Sequence, residues 1–360
     1  MSLSIGIVGL PNVGKSTLFN ALTDNNILAA NYPFATIEPN TGIVPIPDER
    51  LKKLADIYKT KKIIPATVTF VDIAGLVAGA SKGEGLGNQF LANIRTCNAI
   101  CHVVRAFADS DVVHVDDALN PRKDIDVINT ELVLADLQTV QRKLPQLQKE
   151  ARANPKLKPE LDALEQAHAL LDSGTPLFAS AQLSALSSQL DQLQLLTAKS
   201  VIYLFNVDEN TLQSSEKQAD LQKLVAPARS VFVCAKLENE LKSLDQADQQ
   251  ELLESYNVAE SGLIQLTHAA YNTLGLQSYL TAGEKEVRAW TILKSSTAPQ
   301  AAGVIHGDFE RGFIAAQIIN YEDLVSAGSE TAAKSAGKVR TEGKEYIMQP
   351  NDVVEFRFNV

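Results

Sequence analysis

Hydrophobic residues in the first half of the chain form short continuous runs, separated by segments with helical periodicity. The runs predict strands at 3–8, 66–71, 99–104, 201–205 and 230–233. Apolar runs without alternation are typical of strands that are covered on both faces. Because strands alternate with helical segments, the pattern predicts an α/β domain with a mainly parallel sheet.

The hydrophobic period changes between the third and fourth predicted strands. Apolar residues there recur with spacings of four and three, at Val133, Leu137, Val140, Leu144 and Leu147. Heptad spacing predicts packed helices, and the proline-containing segment 154–159 predicts a turn between them. We therefore expect an antiparallel helical hairpin at 130–198, inserted into a domain that comprises 1–129 and 199–276. Pro145 is expected to kink the first helix or end it early.

A third region begins after residue 276. Strand-like segments occur at 287–293, 301–305, 313–319 and 353–358. The last of these alternates between apolar and polar residues, as a half-buried strand does. Residues 277–360 are therefore expected to form a small separate domain that combines helices and strands.

Composition limits the function classes. The net charge is −10, and no apolar stretch is long enough to span a membrane, so neither a membrane location nor DNA sequence recognition is expected. The first residues lead directly into a predicted strand, without the pattern of a signal peptide, which favours a cytoplasmic protein. The three cysteines have no metal-ligand spacing, so they are interpreted as buried thiols.

The predicted hairpin turn is basic within this acidic chain. Six basic residues surround it: Arg142, Lys143, Lys149, Arg152, Lys156 and Lys158. This cluster is a candidate contact for RNA or another polyanion. A solvated helix end is the alternative interpretation.

Residues 9–16 read G-L-P-N-V-G-K-S and match the phosphate-binding motif G-x-x-x-x-G-K-[ST]. A predicted strand precedes the motif and a helical pattern follows it. We expect the backbone of Asn12, Val13, Gly14 and Thr17 to surround the phosphates. Lys15 is expected to reach the β- and γ-phosphates, and the Ser16 hydroxyl to bind Mg²⁺.

Two further segments predict the rest of the phosphate and metal site. Asp72 ends a predicted strand and is followed three residues later by Gly75, the spacing of a D-x-x-G motif. Asp72 is expected to hold Mg²⁺ through water, and the Gly75 N–H to contact the γ-phosphate. Thr36, in a proline-containing segment, is the candidate for the second Mg²⁺ ligand.

Residues 206–209 stand where GTPases have N-K-x-D, the motif that selects guanine. Asn206 is retained, but Val207 replaces the lysine and Glu209 replaces the aspartate. A longer carboxylate cannot occupy the same place, so guanine selectivity should be relaxed or lost. Ala235, after the next predicted strand, is expected to contribute backbone contacts to the base.

The residue after Gly75 is Leu76, where many GTPases have a glutamine that orients the attacking water. Hydrolysis must therefore be slow or use another group. His114 is a candidate because imidazole can polarise water near neutral pH. A structural role for this valine-flanked histidine is the alternative.

These motifs together resemble the YchF/Obg-like ATPase family. The resemblance rests on 9–17, on Y-P-F-x-T-I-x-P-N within 31–42, on D-I-A-G-L-V at 72–77, on N-x-x-E at 206–209 and on F-R-F-N-V at 356–360. It implies an α/β P-loop NTPase fold (an Obg-type G domain) with an inserted antiparallel helical hairpin and a C-terminal β-grasp (TGS) domain. It also implies preference for ATP or tolerance of both ATP and GTP, association with ribosomes, and a catalytic histidine at His114.

The sequence therefore predicts a Mg²⁺-dependent ATPase whose nucleotide state is coupled to a ribosome or RNA partner. Lys15 and His114 are the predicted catalytic residues. One alternative is a GTPase that tolerates Glu209. Another is a binding module in which the nucleotide is a regulatory ligand and turnover is negligible.

Overall fold

The computed structural model describes residues 3–23, 40–73, 86–108, 119–180 and 190–359. Contacts between residues divide the chain into two compact units. The first unit comprises 1–44 and 69–274, and the second comprises 45–68 and 275–360.

The strands and helices of the described residues are numbered in chain order. The strands are β1 (Ser4–Val8), β2 (Thr41–Pro45), β3 (Ile63–Ile64), β4 (Thr67–Asp72), β5 (Ala99–Ala106), β6 (Ser200–Val207), β7 (Arg229–Val233), β8 (Leu276–Ala282), β9 (Val287–Leu293), β10 (Phe313–Asn320), β11 (Val339–Glu342) and β12 (Asp352–Phe358). The helices are α1 (Lys15–Thr23), α2 (Glu49–Tyr58), α3 (Leu86–Thr96), α4 (Pro121–Ala153), α5 (Lys158–Asp172), α6 (Glu209–Leu212), α7 (Ser215–Lys223), α8 (Ala235–Lys242), α9 (Gln246–Ser255), α10 (Gly262–Thr273), α11 (Ala298–Ile305), α12 (Gly307–Arg311), α13 (Tyr321–Ala327) and α14 (Glu330–Ser335).

The first unit is built around a six-stranded sheet with the order β2-β4-β1-β5-β6-β7. β1 pairs in parallel with β4 and β5, and β5, β6 and β7 continue the parallel pairing. All eight residues of β5 are buried, as expected for a central strand that is covered on both faces. The predicted parallel α/β sheet is therefore confirmed, and β1, β4, β5 and β6 end at its carboxyl edge.

Helices α4 and α5 form a hairpin whose core is leucine-rich. Val140, Leu147, Leu164 and Leu171 are buried together in one hydrophobic cluster. The Asn154 side chain accepts a hydrogen bond from the Lys156 backbone N–H and stabilises the turn. Of the two effects predicted for Pro145, an early end of the helix does not occur, because α4 continues through Pro145 to Ala153; the kink stays a prediction.

A buried carboxylate fixes the base of the hairpin. Asp136 on α4 is fully buried. It accepts hydrogen bonds from the backbone N–H groups of Leu196 and Thr197 at 2.9 and 2.7 Å, and from the Thr197 hydroxyl at 2.7 Å. Burial raises the pKa of this carboxyl, and these three donors oppose the rise. The returning chain is thereby joined to the helix on which the insertion began.

The second unit contains a mixed six-stranded sheet with the order β11-β10-β12-β8-β9-β3. β12 and β8 are parallel, whereas β8 and β9 are antiparallel. The unit combines helices and strands; the separate domain at 277–360 and its β-grasp (TGS) assignment stay predictions. The predicted strand at 301–305 is wrong. Those residues belong to α11, which starts with a capping box formed by Thr297 and Gln300.

Residues 45–68 were expected in the first domain, but the structure groups them with the second unit. Arg50 on α2 donates to the Pro350 carbonyl at 2.6 Å and to Asn351 Oδ1 at 2.9 Å. The Tyr58 hydroxyl donates to Glu330 at 3.2 Å, and β3 pairs in parallel with β9. These hydrogen bonds attach the segment to partners far along the chain.

The described helices include none that combines the length and the apolar character needed to cross a membrane. The three cysteines, Cys97, Cys101 and Cys234, are buried free thiols, as predicted.

Candidate nucleotide-binding site

The loop between β1 and α1 is fixed by two glycines that have no room for a side chain. A Cβ on Gly9 would lie 2.6 Å from the Val103 carbonyl oxygen. A Cβ on Gly14 would lie 2.5 Å from Asn206 Nδ2, and Gly14 has a φ of +95°. Such a backbone is compatible with glycine alone, so the sequence motif specifies this loop shape locally. Ser16 and Thr17, in the first turn of α1, are exposed.

Lys15 is buried at the start of α1, with 8% of its surface exposed. Its Nζ donates to the Leu10 carbonyl at 2.7 Å, across the loop that the motif forms. Burial lowers the pKa of Lys15, and the negative charge of Asp72 partly offsets this change. The lysine is therefore held inside the loop, where anionic phosphate oxygens could replace the carbonyl as its acceptor.

Asp72 ends β4 beside the strand that leads into this loop, since it pairs in register with Ile7. Its Oδ1 atom is buried and has no hydrogen-bond partner. Burial raises the pKa of the Asp72 carboxyl, and Lys15 opposes the rise. An orphaned carboxylate oxygen is costly to bury, so this atom fits a cation or its water ligands. Among the described residues no cluster of three or more His, Cys, Asp or Glu side chains forms a metal site by itself.

His102 lies on β5, opposite Val8 of β1. It is almost fully buried and contacts Tyr203, with ring centroids 5.2 Å apart. Burial, together with the positive charge of Lys15, lowers the pKa of His102 to about 3. This imidazole is therefore neutral near pH 7 and adds no positive charge beneath the loop.

A cavity of about 420 Å³, the base cavity, opens beyond the carboxyl ends of β5, β6 and β7. It is lined by Phe107, Asn206, Val207, Asp208, Glu209, Asn210, Cys234, Ala235 and Lys236. The predicted base-binding residues Asn206, Glu209 and Ala235 are thus brought together in one cavity. Its position at the carboxyl edge of a parallel sheet is the usual ligand position of α/β folds.

Asn206 connects this cavity with the phosphate loop. The Asn206 side chain is buried, and its Nδ2 donates to the Val13 carbonyl at 3.1 Å. A single side chain therefore positions the loop relative to β6. The neighbouring Val207 is only 2% exposed, so it offers little surface where GTPases have a lysine stem over the ring.

The two acidic residues of the segment have different partners. Asp208 caps α6, because its side chain accepts a hydrogen bond from the Thr211 N–H at 2.7 Å. Glu209 forms an ion pair with Lys236, with 2.7 Å between Oε1 and Nζ. Both carboxylates therefore already have a partner, whereas bidentate recognition of guanine requires a carboxylate that is free to accept two N–H groups.

The structure places the predicted residues Asn12, Val13, Gly14, Lys15, Ser16 and Thr17 in one loop and helix start, next to Asp72. The remaining predicted residues Thr36, Gly75 and His114 lie outside the described residues, as does Leu76. Their predicted roles therefore stay predictions.

Two residues of the base cavity were missed as site residues. Phe107 directly follows β5, and the Arg105 guanidinium lies 4.6 Å from its ring centroid. The sequence signal for Phe107 was its position after a predicted parallel strand, since ligands bind at the carboxyl edge of a parallel sheet. Lys236 directly follows the predicted residue Ala235. Its pairing with Glu209 across 27 residues of sequence had no local signal.

Comparison with known families gives two matches along the chain. Residues 4–135 match a family model described as "50S ribosome-binding GTPase". Residues 276–359 match the YchF-GTPase_C model, which is described as "Protein of unknown function (DUF933)". Most of the hairpin lies between the two matched regions.

Full-length relatives and solved structures extend this likeness. The chain is 48% identical to the "Ribosome-binding ATPase YchF" of Bacillus subtilis (strain 168) and 50% identical to the protein of that name from Haemophilus influenzae, with 100% of each chain covered. The solved "Structure of the Schizosaccharomyces pombe YchF GTPase" is 38% identical, covers 99% of this chain and 98% of that chain, and has a TM-score of 0.87. A "GTP binding protein from Pyrococcus horikoshii OT3" is 21% identical over 99% of this chain and 100% of its own, with a TM-score of 0.61, which indicates a similar fold.

Proposed function

Since the chain belongs to the YchF family, we propose that it is a ribosome-binding ATPase whose affinity for the ribosome depends on its bound nucleotide. The observation that carries this proposal is the combination of a complete phosphate loop with a base cavity in which Val207 and Glu209 stand where GTPases have a lysine and an aspartate. The first feature is general for nucleoside triphosphates, whereas the second disfavours the guanine recognition that GTPases use. The full-length relatives named as ribosome-binding ATPases support the same assignment.

In this proposal the phosphates lie at the N-terminus of α1. The backbone N–H groups from Asn12 to Thr17 and the positive end of the helix surround them. Lys15 is already buried in the loop, so little solvent has to be removed when it exchanges the Leu10 carbonyl for phosphate oxygens. Gly75 would add a contact to the γ-phosphate.

The chain's own oxygen donors fit Mg²⁺. Ser16 and Thr36 would provide hydroxyls, and the unpartnered Asp72 Oδ1 atom would accept hydrogen bonds from the metal's water ligands. When bound, the ion would neutralise charge that develops on the β- and γ-phosphates. Ser16 lies in the first turn of α1, and Asp72 ends β4, which pairs with β1, the strand that leads into α1.

Hydrolysis in this family member must do without a glutamine after Gly75, because Leu76 can neither donate nor accept a hydrogen bond. We assign the orientation of the attacking water to His114. Measured ATP turnover of the wild type and of a His114→Ala variant tests this role. Loss of about 10²-fold or more in turnover with unchanged ATP affinity supports it. Equal rates would contradict it, and negligible rates in both proteins would favour a nucleotide-regulated binding module.

The ribosome would be contacted through RNA at the hairpin turn and through the C-terminal domain. Lys149, Arg152 and Lys156 are exposed near that turn, and Arg142 is exposed about three helical turns earlier on α4. Lys158 is also exposed, but it pairs with Asp162 at 2.7 Å, which reduces the local positive charge. Contacts to phosphates are screened by salt, so this interaction should weaken as ionic strength rises.

Replacing Arg152, Lys156 and Arg142 together by glutamine should reduce co-sedimentation with ribosomes about tenfold at 50 mM salt, because each removed cation is one phosphate contact fewer. A matched control replaces Lys217, Lys223 and Arg229, exposed basic residues of the same unit, in the same way. Equal loss in both variants would indicate a general charge effect, and no loss in the hairpin variant would exclude this surface.

The dependence of ribosome binding on the bound nucleotide is tested by co-sedimentation with ribosomes. The protein is measured with ADP, with a non-hydrolysable ATP analogue, and without nucleotide. We expect the three states to differ in bound fraction, and the differences to disappear in a Lys15→Ala variant. Identical binding in all three states of the wild type would contradict a nucleotide-coupled function.

A further inference from the structure

The rim of the base cavity carries an ion pair that comes from two separate strand ends. Glu209 is the first residue of α6, after β6, and Lys236 is the second residue of α8, after β7. The Lys236 Nζ donates to Glu209 Oε1 at 2.7 Å. Both residues line the cavity together with Phe107 and Ala235.

The backbone on both sides of this pair is anchored. Asp208 caps α6 through the Thr211 N–H. On the other side, the buried Glu238 accepts hydrogen bonds from the Ser261 hydroxyl at 2.6 Å and the Gly262 N–H at 2.7 Å, which joins α8 to α10. The pair therefore rests on two fixed helix starts, and its geometry is set by the fold.

We propose that Lys236 is a specificity-determining residue of the nucleotide site, because it occupies the Glu209 carboxylate and thereby disfavours guanine relative to adenine. This inference rests on the proposed ATPase function and extends it to a side chain that local sequence gives no reason to select.

The chemistry of the two bases gives the direction of the effect. Guanine presents two neighbouring N–H donors, which a carboxylate can accept together. Adenine presents a ring nitrogen acceptor at the corresponding position, so it gains nothing from an unpartnered carboxylate. Guanine must therefore displace the Lys236 ammonium from Glu209, whereas adenine can bind with the pair intact.

The exposure of the Lys236–Glu209 pair limits how much it can change the selectivity between ATP and GTP. The side chains of Lys236 and Glu209 are 71% and 36% exposed, so water and salt screen their attraction. Glu209 raises the pKa of Lys236, with Glu240 as a further acidic neighbour, so the lysine is charged near pH 7. We expect a selectivity change of about threefold to fivefold, since exposed pairs contribute little.

The test compares the dissociation constants of Mg²⁺–ATP and Mg²⁺–GTP for full-length variants. Lys236→Met should tighten GTP binding about threefold to fivefold and change ATP binding less than about twofold. Lys236→Arg keeps the pair and should keep the wild-type ratio of the GTP dissociation constant to the ATP dissociation constant. In a Glu209→Gln background, Lys236→Met should no longer change the ratio, since no carboxylate is left to release.

Two controls give the result a single interpretation. Glu240→Gln removes the other acidic neighbour of Lys236 and should leave the ratio unchanged. Raising the salt concentration should move the wild-type ratio toward that of Lys236→Met, because the pair is screened. An unchanged ratio in Lys236→Met, or an equal shift in the Glu209→Gln background, would overturn the inference.

ATP binding by the wild type tests the proposed function separately. If the wild type fails to bind ATP in a manner that depends on Lys15, the proposed function is wrong and this inference falls with it. If the wild type binds ATP and Lys236→Met leaves the ratio unchanged, only the role of Lys236 is wrong.

Discussion

The phosphate half and the base half of the candidate site are built differently. In the phosphate half, Lys15 and Asn206 are buried, and the loop has no room for a side chain at Gly9 or Gly14. In the base half, the pair between Lys236 and Glu209 is exposed and sits on a cavity open to solvent. In our proposal, packed backbone therefore fixes triphosphate recognition, and a few exposed side chains set the choice of base.

This difference has a consequence for substitution. A change in the phosphate half alters packing, hydrogen bonding and charge together, so it should affect all nucleotides alike. A change at the rim of the base cavity leaves the fold intact and can shift the balance between two bases. Selectivity can therefore change within the same scaffold without loss of nucleotide binding.

The largest effect is expected for Lys15→Ala. It removes a buried ammonium that would contact two phosphates, and charge-assisted hydrogen bonds are worth about 1.5–3 kcal/mol each. Affinity for ATP and for GTP should both fall about 100-fold or more, measured by calorimetry. Lys217→Ala, at an exposed lysine, is the control and should bind as the wild type does. A Lys15→Ala variant that binds ATP normally would refute the assignment of the phosphate half.

Asn206→Ala should have the next largest effect. It removes the hydrogen bond to the Val13 carbonyl and leaves that acceptor without its partner, at a cost of about 1–3 kcal/mol. We expect a lower free energy of unfolding in urea and about tenfold weaker binding of both nucleotides. Asn210→Ala changes a residue that lines the same cavity and is the matched control. A selective loss of one nucleotide would show that Asn206 reads the base instead of holding the loop.

Phe107→Ala should act on the base half alone. Aromatic stacking on a base contributes about 1–3 kcal/mol, and an open cavity favours the lower end of this range. Binding of ATP and GTP should weaken about tenfold, while the free energy of unfolding changes little. Phe107→Trp retains an aromatic surface and should preserve affinity. Unchanged binding by Phe107→Ala would place the base elsewhere in the cavity.

The features that sequence predicted well are those whose cause is local. The glycines of 9–14 impose a backbone shape by themselves, and heptad spacing predicts that Val140 and Leu147 face a partner helix. The parallel sheet follows from apolar runs such as β5, which is buried at every residue. The shape of the phosphate loop could therefore be predicted from the motif and its context, whereas the roles of Thr36 and Gly75 stay predictions.

The features that sequence missed depend on distant partners. Residues 45–68 join the second unit through contacts of Arg50 and Tyr58 with residues about 270 to 300 positions away. The helix at 298–305 was predicted in part as a strand, although Thr297 and Gln300 form a recognisable capping box. The pairing of Lys236 with Glu209 required the positions of two strand ends, which no local pattern contains.

The most direct test of the account is calorimetric binding of ATP and of GTP, each with Mg²⁺, to the purified wild-type protein. We expect ATP to bind more tightly than GTP, since Glu209 replaces the aspartate that pairs with guanine in GTPases and already has Lys236 as its partner. Tighter binding of GTP by about tenfold or more would contradict this expectation, because Glu209 would then pair with guanine despite its greater length and its partner Lys236.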